Sequence, residues 1–162
     1  MFLQSKLKTL LVCIAIPLIT GTISGLLSGN SMEAFQQLKK PPLSPPGYLF
    51  PIVWTILYTL MGIAAFFVYT SEKNEQEIHE ALKLYGLQLA INFFWSIFFF
   101  NFEWYLFSFI WLVLLWILIL KTIFAFSRIS PKAACLLIPY LLWVTFAGYL
   151  NFSIYVLNTF AV

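Results

Sequence analysis

The sequence predicts an all-α membrane protein, built as a bundle of five transmembrane helices. Of its 162 residues, 62% are hydrophobic and only 9% are charged, whereas a soluble domain is nearer half apolar and a quarter charged. The apolar residues fall in runs of roughly 20, the length that a helix needs to cross a hydrocarbon core of ~30 Å. The charges lie mainly between these runs, so the net charge of +3 indicates membrane topology and not nucleic-acid binding.

The first apolar segment spans about Leu7–Ser28. It is longer than the roughly 7–15 apolar residues of a signal peptide, which favours a retained helix. Pro17 should kink this helix, with neighbouring groups satisfying the carbonyl that loses its partner. The remaining segments are predicted at about Gly47–Thr70, Ala81–Asn101, Trp104–Phe126 and Pro131–Asn158.

The connections predict one five-helix domain over residues 1–162 and its orientation. Loop one, about Gly29–Pro46, is the longest connection and leaves no room for a second domain. Positive charges favour the cytoplasmic side of a membrane. Seven Lys or Arg residues share the side of the N-terminus and two lie on the other, namely Lys6, Lys8, Lys73, Lys83, Lys121, Arg128 and Lys132 against Lys39 and Lys40. We therefore expect a multi-pass cell-membrane protein with a cytoplasmic N-terminus and an outside C-terminus.

Several kinds of chemistry lack the residues that they need. The chain has one histidine, His79 in a polar loop, and no aspartate. The two cysteines, Cys13 and Cys135, are too few for a disulfide framework or a metal site without histidine partners. Ionisable residues inside a membrane usually mark ion or proton paths, and no carboxylate pair lies within the apolar segments. We expect no metal, no required cofactor and no acid–base or Ser–His–Asp catalysis.

Aromatic and neutral polar residues recur instead on particular helix faces. In the third segment Gln88, Asn92 and Ser96 are spaced by four residues and share one face, with Trp95 beside it. In the second segment Trp54 and Tyr58 lie one turn apart. The fifth segment carries a comparable face, formed by Tyr140, Trp143, Ala147 and Asn151.

Two interpretations of these faces remain open. Tryptophan and tyrosine can form belts at the membrane surface, and amides can bond one helix to another. Alternatively, aromatic rings with a few neutral donors suit a flat and largely apolar ligand, such as a planar macrocycle, a sterol or a heteroaromatic drug. For Gln88, Asn92 and Trp143 the residues alone do not decide between packing and ligand binding.

Three blocks of the sequence resemble the TspO/MBR family, the tryptophan-rich sensory proteins and translocator proteins. The blocks are "LKKPPLSPPGYLFPIVWTILY", "LQLAINFFWSIFFF" and "LLIPYLLWVTFAGYLNFSIYVLN". The resemblance implies a five-helix bundle, usually a homodimer, with a pocket near one membrane face under a lid formed by loop one. One departure is Leu43, where the family often has an aromatic residue before the Pro-Pro pair.

The resemblance also implies ligands and site residues. Family ligands include protoporphyrin IX and haem, cholesterol in animal members, and benzodiazepine drugs. The pocket residues of the family match Trp54, Asn92, Trp143 and Ala147, and its loop prolines match Pro45 and Pro46. We expect the ligand-binding set to be Pro45, Pro46, Trp54, Tyr58, Gln88, Asn92, Trp95, Tyr140, Trp143 and Ala147.

Three functions are predicted from these residues and the resemblance. The first is a membrane sensor or regulator that binds tetrapyrroles. The second is light-dependent breakdown of the bound porphyrin, in which Trp54 and Trp143 would be the reactive residues. The alternative is a transporter of porphyrins or other amphiphiles, although we find no internal repeat of the kind common in secondary transporters.

Overall fold

A computed structural model of the chain describes residues 2–160, and the outermost residues of the predicted 1–162 domain lie outside this range. Five helices are long and apolar enough to cross a membrane, which confirms the predicted fold class. No strand occurs within residues 2–160. The helices are α1 (Phe2–Leu27), α2 (Ser31–Gln37), α3 (Leu49–Tyr69), α4 (Glu75–Ser96), α5 (Tyr105–Ile129) and α6 (Pro131–Thr159).

The largest differences from the predicted boundaries are at helix starts, and α1 begins five residues before the predicted Leu7. Helix α4 begins at Glu75, six residues before the predicted Ala81, because the Asn74 side chain accepts a hydrogen bond from the Gln76 N–H at 2.9 Å and caps the helix. The added turns carry glutamates and extend the helix beyond its apolar part. Loop one also contains the short helix α2, which was not predicted.

The helices form a ring in the order α1, α3, α6, α5, α4, with α4 returning to α1. Helix α1 is the least buried helix of this ring. Only 11% of the residues in its most apolar stretch are buried, against 33–39% in the other four helices. Its exposed face carries Leu11, Ile16, Ile19 and Ile23, which suits contact with lipid tails.

The N-terminal half of α1 meets α3 through a backbone contact that Gly62 makes possible. Pro17 has no N–H, so the Cys13 carbonyl one turn earlier loses its helical partner. This carbonyl faces α3, where a Cβ placed on Gly62 would lie 2.7 Å from its oxygen and also collide with Ile14. Gly62 thus allows the α1 backbone to approach α3 closely, and the satisfaction of the Cys13 carbonyl by a neighbouring group stays a prediction.

Helix α4 ends in a wider, π-helical turn, Ile97–Asn101. At its start the Ile97 N–H donates to the Phe94 carbonyl, so the Phe93 carbonyl is not its partner. The Ser24 hydroxyl of α1 lies 2.6 Å from the Phe93 oxygen and donates to it. Such turns are rare in proteins as a whole, but those that occur are often found at functional sites. This one lies beside the cavity described below.

Loop one is fastened to the C-terminal half of α6. The Asn158 amide forms two hydrogen bonds with the backbone of Lys39, at 3.1 and 3.0 Å. The Tyr149 hydroxyl donates to the Pro42 carbonyl at 3.0 Å. The proline-rich end of the loop is therefore held against α6 before the chain enters α3.

Candidate functional site

A cavity of about 440 Å³ lies between the C-terminal half of α1, the N-terminal half of α3 and the end of α4. This volume is within the range of about 300–1,000 Å³ typical of small-molecule sites. Its described walls contain no charged side chain. Its lining includes Gly25, Ser28, Phe50, Trp54, Asn92 and Trp95.

The α3 wall of the cavity is aromatic. The rings of Trp54 and Tyr58 stack with centroids 5.3 Å apart. Tyr140 of α6 stands behind Trp54 in an edge contact at 6.1 Å. On the α1 side, a Cβ placed on Gly21 would collide with the Tyr58 ring. The glycine therefore makes the room in which Tyr58 packs.

The polar face of α4 bonds to three different helices. The Tyr140 hydroxyl of α6 donates to Gln88 Oε1 at 2.8 Å. One turn later Asn92 donates to the Tyr58 hydroxyl of α3 at 3.3 Å, and Ser96 meets the serines of α1. Of the three, Asn92 and Ser96 line the cavity and Gln88 does not. In this structure Gln88 bonds one helix to another, as the packing interpretation expects. Asn92 also bonds one helix to another, and it lines the cavity as well.

The α6 residues of the predicted site stand behind the cavity. Tyr140, Trp143 and Ala147 are not among the residues that line it. The Trp143 ring packs edge-on against Phe50, 5.9 Å away, and Phe50 lies between it and the cavity wall. The Trp143 Nε1–H is buried and has no acceptor among the described residues. The structure therefore places Trp54 at the cavity and Trp143 one ring further away.

Trp95 lies at the boundary between the cavity and the core. It lines the cavity, yet it is only 8% exposed. Its indole N–H donates to Asn151 Oδ1 at 3.1 Å, and the Asn151 amide donates to the Tyr105 carbonyl at 2.8 Å. These bonds fix the indole plane, so Trp95 offers the cavity a rigid surface.

The proline pair of loop one lies next to the cavity rather than on its wall. Pro45 and Pro46 precede Gly47, which does line it. Leu43 adopts a left-handed backbone conformation with φ of 69° and is 83% exposed. Its side chain points away from the protein, so it does not take the place of an aromatic lid residue.

A cluster of serines forms the α1–α4 wall and was not predicted as part of the site. Ser24, Ser28 and Ser96 line the cavity, and Ser24 and Ser28 are 5% and 4% exposed. The available signal was the spacing of Ser24 and Ser28, four residues apart near the end of the first segment. Nothing in the sequence indicates that Ser96 faces them, because that depends on how α1 crosses α4.

The cavity opens on the surface between α1 and α3. Thr22 and Gly25 of α1, and Pro51 and Thr55 of α3, line it and are exposed at the same time. A Cβ placed on Gly25 would meet no atom within 4 Å. In a bilayer this opening faces the lipid near one end of the bundle.

Comparison with known proteins gives matches along nearly the whole chain. A model of the TspO/MBR family matches residues 13–157. The chain is 39% identical to a tryptophan-rich protein TspO from Chlorobaculum tepidum, over 96% of this chain and 99% of that protein. It is 36% identical to protein CrtK from Rhodobacter capsulatus, over 76% and 78% of the two chains. It is 33% identical to the translocator protein of Ovis aries, over 80% and 77%.

Proposed function

The chain belongs to the TspO/MBR family, and from this membership and its cavity we propose that it binds tetrapyrroles, such as protoporphyrin IX or haem, as a membrane sensor or regulator. The observation that carries the proposal is an uncharged cavity whose α3 and α4 walls present Trp54, Tyr58 and Trp95. Flat aromatic rings stack favourably on such side chains. The Asn92 amide beside them supplies a polar contact that can orient the ring.

Loop one acts as the lid in this proposal. Its tethers to α6 through Asn158 and Tyr149 hold the end of the loop beside Gly47 at the cavity wall. Pro45 and Pro46 stiffen this path, since a residue before proline is itself restricted to extended conformations. In this proposal the two prolines, which were predicted to bind the ligand, act by shaping the entrance to the cavity.

A titration with protoporphyrin IX in the dark tests binding. We expect saturable quenching of tryptophan fluorescence and a shifted Soret band at micromolar porphyrin, because Trp54 and Trp95 line the cavity. Trp54→Phe should remove more of the quenching than Trp143→Phe, since Phe50 separates Trp143 from the cavity. The absence of saturable quenching would contradict the proposal.

Light-dependent breakdown of the bound porphyrin is the enzyme-like extension of this proposal. An indole next to a photoexcited macrocycle can donate an electron to it or react with the oxygen species that it generates. Under illumination, Trp54→Phe should slow porphyrin bleaching while leaving part of the binding. If Trp54→Phe and Trp143→Phe both bleach porphyrin at the wild-type rate, the breakdown is the porphyrin's own photochemistry.

Transport of porphyrins or other amphiphiles is the second candidate, and the opening between α1 and α3 favours it. Exposed lining residues such as Thr22 and Thr55 give a ligand a lateral path from the lipid. Flux of porphyrin across sealed vesicles that contain the protein discriminates transport from binding alone. Binding without flux leaves the sensor proposal standing.

The proposed setting is the cell membrane, with the N-terminus in the cytoplasm. The Lys and Arg bias described above supports this orientation, and accessibility labelling of cysteines introduced at either terminus tests it. The predicted homodimer stays a prediction, which cross-linking in the native membrane tests.

A further inference from the structure

Three serine hydroxyls meet where α1 crosses α4. The Ser24 Oγ lies 2.6 Å from the Phe93 carbonyl oxygen and 2.7 Å from Ser96 Oγ. The Ser28 Oγ lies 2.8 Å from Ser96 Oγ and 2.8 Å from the Ser24 carbonyl oxygen. All three serines line the cavity, so the cluster is part of its wall.

Counting protons shows what this cluster can offer a ligand. Each serine hydroxyl has one proton and two lone pairs. The Phe93 oxygen can only accept, so Ser24 donates to it and Ser96 donates to Ser24. Ser28 then donates to Ser96 or to the Ser24 carbonyl. All three protons are used inside the protein, and what remains is the capacity to accept, chiefly on Ser28 Oγ at the free end of the chain.

The chain of bonds strengthens that remaining acceptor. Successive hydrogen bonds polarise one another in a low-dielectric surrounding, so the Ser28 oxygen becomes a better acceptor when its own proton is donated onward. A ligand with an O–H or N–H group in an apolar membrane site loses free energy if that donor stays unpaired. Ser28 satisfies such a donor.

We infer that Ser28, supported by Ser96 and Ser24, is an acceptor subsite for an O–H or N–H group on the edge of a ligand in the cavity. This inference rests on the proposed function and adds the ligand's orientation to it. The aromatic wall of α3 holds the flat face of the ring, and the serine wall of α1 and α4 selects an edge that carries a hydrogen-bond donor.

Two further hydroxyls in the same cavity provide controls. Thr22 Oγ1 donates to the Leu18 carbonyl at 2.8 Å, and Thr55 Oγ1 donates to the Pro51 carbonyl at 2.7 Å. Each bond stays within its own helix, and both residues are exposed at the mouth of the cavity. Neither belongs to a chain of hydroxyls, so Thr22→Val removes the same group as Ser28→Ala at a residue six positions earlier on the same side of the cavity.

The test compares two porphyrins that differ in donor groups at one edge. Haematoporphyrin carries hydroxyethyl groups where protoporphyrin IX carries vinyl groups, on the same ring with the same carboxylates. Dissociation constants are measured in the dark for the wild type, Ser28→Ala, Ser28→Thr and Thr22→Val. Ser28→Thr keeps a hydroxyl at the position, and Ser96→Ala serves as a second variant should Ser28→Ala not fold.

The inference predicts that Ser28→Ala weakens haematoporphyrin binding by about three- to tenfold, as expected for one hydrogen bond, and leaves protoporphyrin binding within about twofold. Ser28→Thr keeps the hydroxyl and should bind haematoporphyrin as tightly as the wild type does. Thr22→Val should not change the ratio of the haematoporphyrin and protoporphyrin affinities. Equal losses for both porphyrins, or no loss for either, would overturn the subsite alone. Failure of the wild type to bind either porphyrin would overturn the proposed function and this inference with it.

Discussion

Helices α1 and α3 face each other in two regions, one of which is closely packed while the other is open. In the N-terminal half of α1 the backbone at Cys13 and Ile14 lies directly against Gly62, and no space is left. In the C-terminal half Gly21 lies against the Tyr58 ring, whereas Gly25, one turn later, meets nothing within 4 Å. We refer to these regions as the seam and the cavity.

The difference shows that small residues on one helix do not decide close packing by themselves. In the seam the glycine is on α3, and the backbone of α1 approaches it closely at Cys13 and Ile14. In the cavity the glycines are on α1, but Trp54 and Tyr58 of α3 form an aromatic wall that keeps the helices apart. The open volume of about 440 Å³ is within the range of small-molecule sites.

Gly62→Ala should have the largest effect, because it breaks the seam. The added Cβ would meet the Cys13 oxygen and the Ile14 backbone, neither of which can move aside by a rotamer change. We expect a loss of about 1–3 kcal/mol in the free energy of unfolding, measured by thermal unfolding in detergent. Gly86→Ala is the control, since a Cβ there meets no atom within 4 Å. Equal stability of the two variants would contradict the close packing of the α1 backbone on Gly62.

Gly21→Ala should have an intermediate effect, at the border between seam and cavity. The added Cβ displaces the Tyr58 ring, which weakens its stacking on Trp54 and its bond from Asn92. We expect a loss of about 1 kcal/mol in stability together with weaker porphyrin binding, because the α3 wall changes shape. Unchanged stability and affinity would show that Tyr58 moves without consequence.

Gln88→Met should have the smallest effect and sharpens the comparison on the packed side. It removes the acceptor of the Tyr140 hydroxyl, at a cost of about 0.6 kcal/mol and at most about 1.7 kcal/mol. The double variant Gln88→Met, Tyr140→Phe removes the hydroxyl that Gln88→Met leaves without its acceptor, and it should be no less stable than Gln88→Met alone. Porphyrin affinity should stay unchanged, and a marked loss would place Gln88 in the binding site.

Much of the fold could be predicted from the sequence because hydropathy acts locally. Runs of apolar residues identified all five spans, and the spacing of Gln88, Asn92 and Ser96 identified the polar face of α4. The first turns of α4 were missed because their glutamates extend beyond the apolar part. Helix α2 was missed because it lies in a polar loop, where Phe35 packs against Phe50, 5.1 Å away.

The site was predicted less completely because it depends on how helices cross. The sequence indicated Trp54, Tyr58, Asn92 and Trp95, which line the cavity. It could not indicate that Phe50 stands in front of Trp143, or that the Ile97 N–H bonds to Phe94 while the Phe93 carbonyl accepts from Ser24. Such features follow from the relative positions of several helices, and no single segment carries a signal for them.

The central claim is that porphyrin binds in the cavity between α1, α3 and α4. The most direct measurement is a protoporphyrin IX titration in the dark on Gly25→Leu and on Gly86→Leu. Both glycines are exposed and a Cβ added to either would collide with nothing, but of the two only Gly25 lines the cavity. We predict that Gly25→Leu folds normally and loses saturable binding, while Gly86→Leu binds as the wild type does. Wild-type affinity in a folded Gly25→Leu variant would contradict the claim.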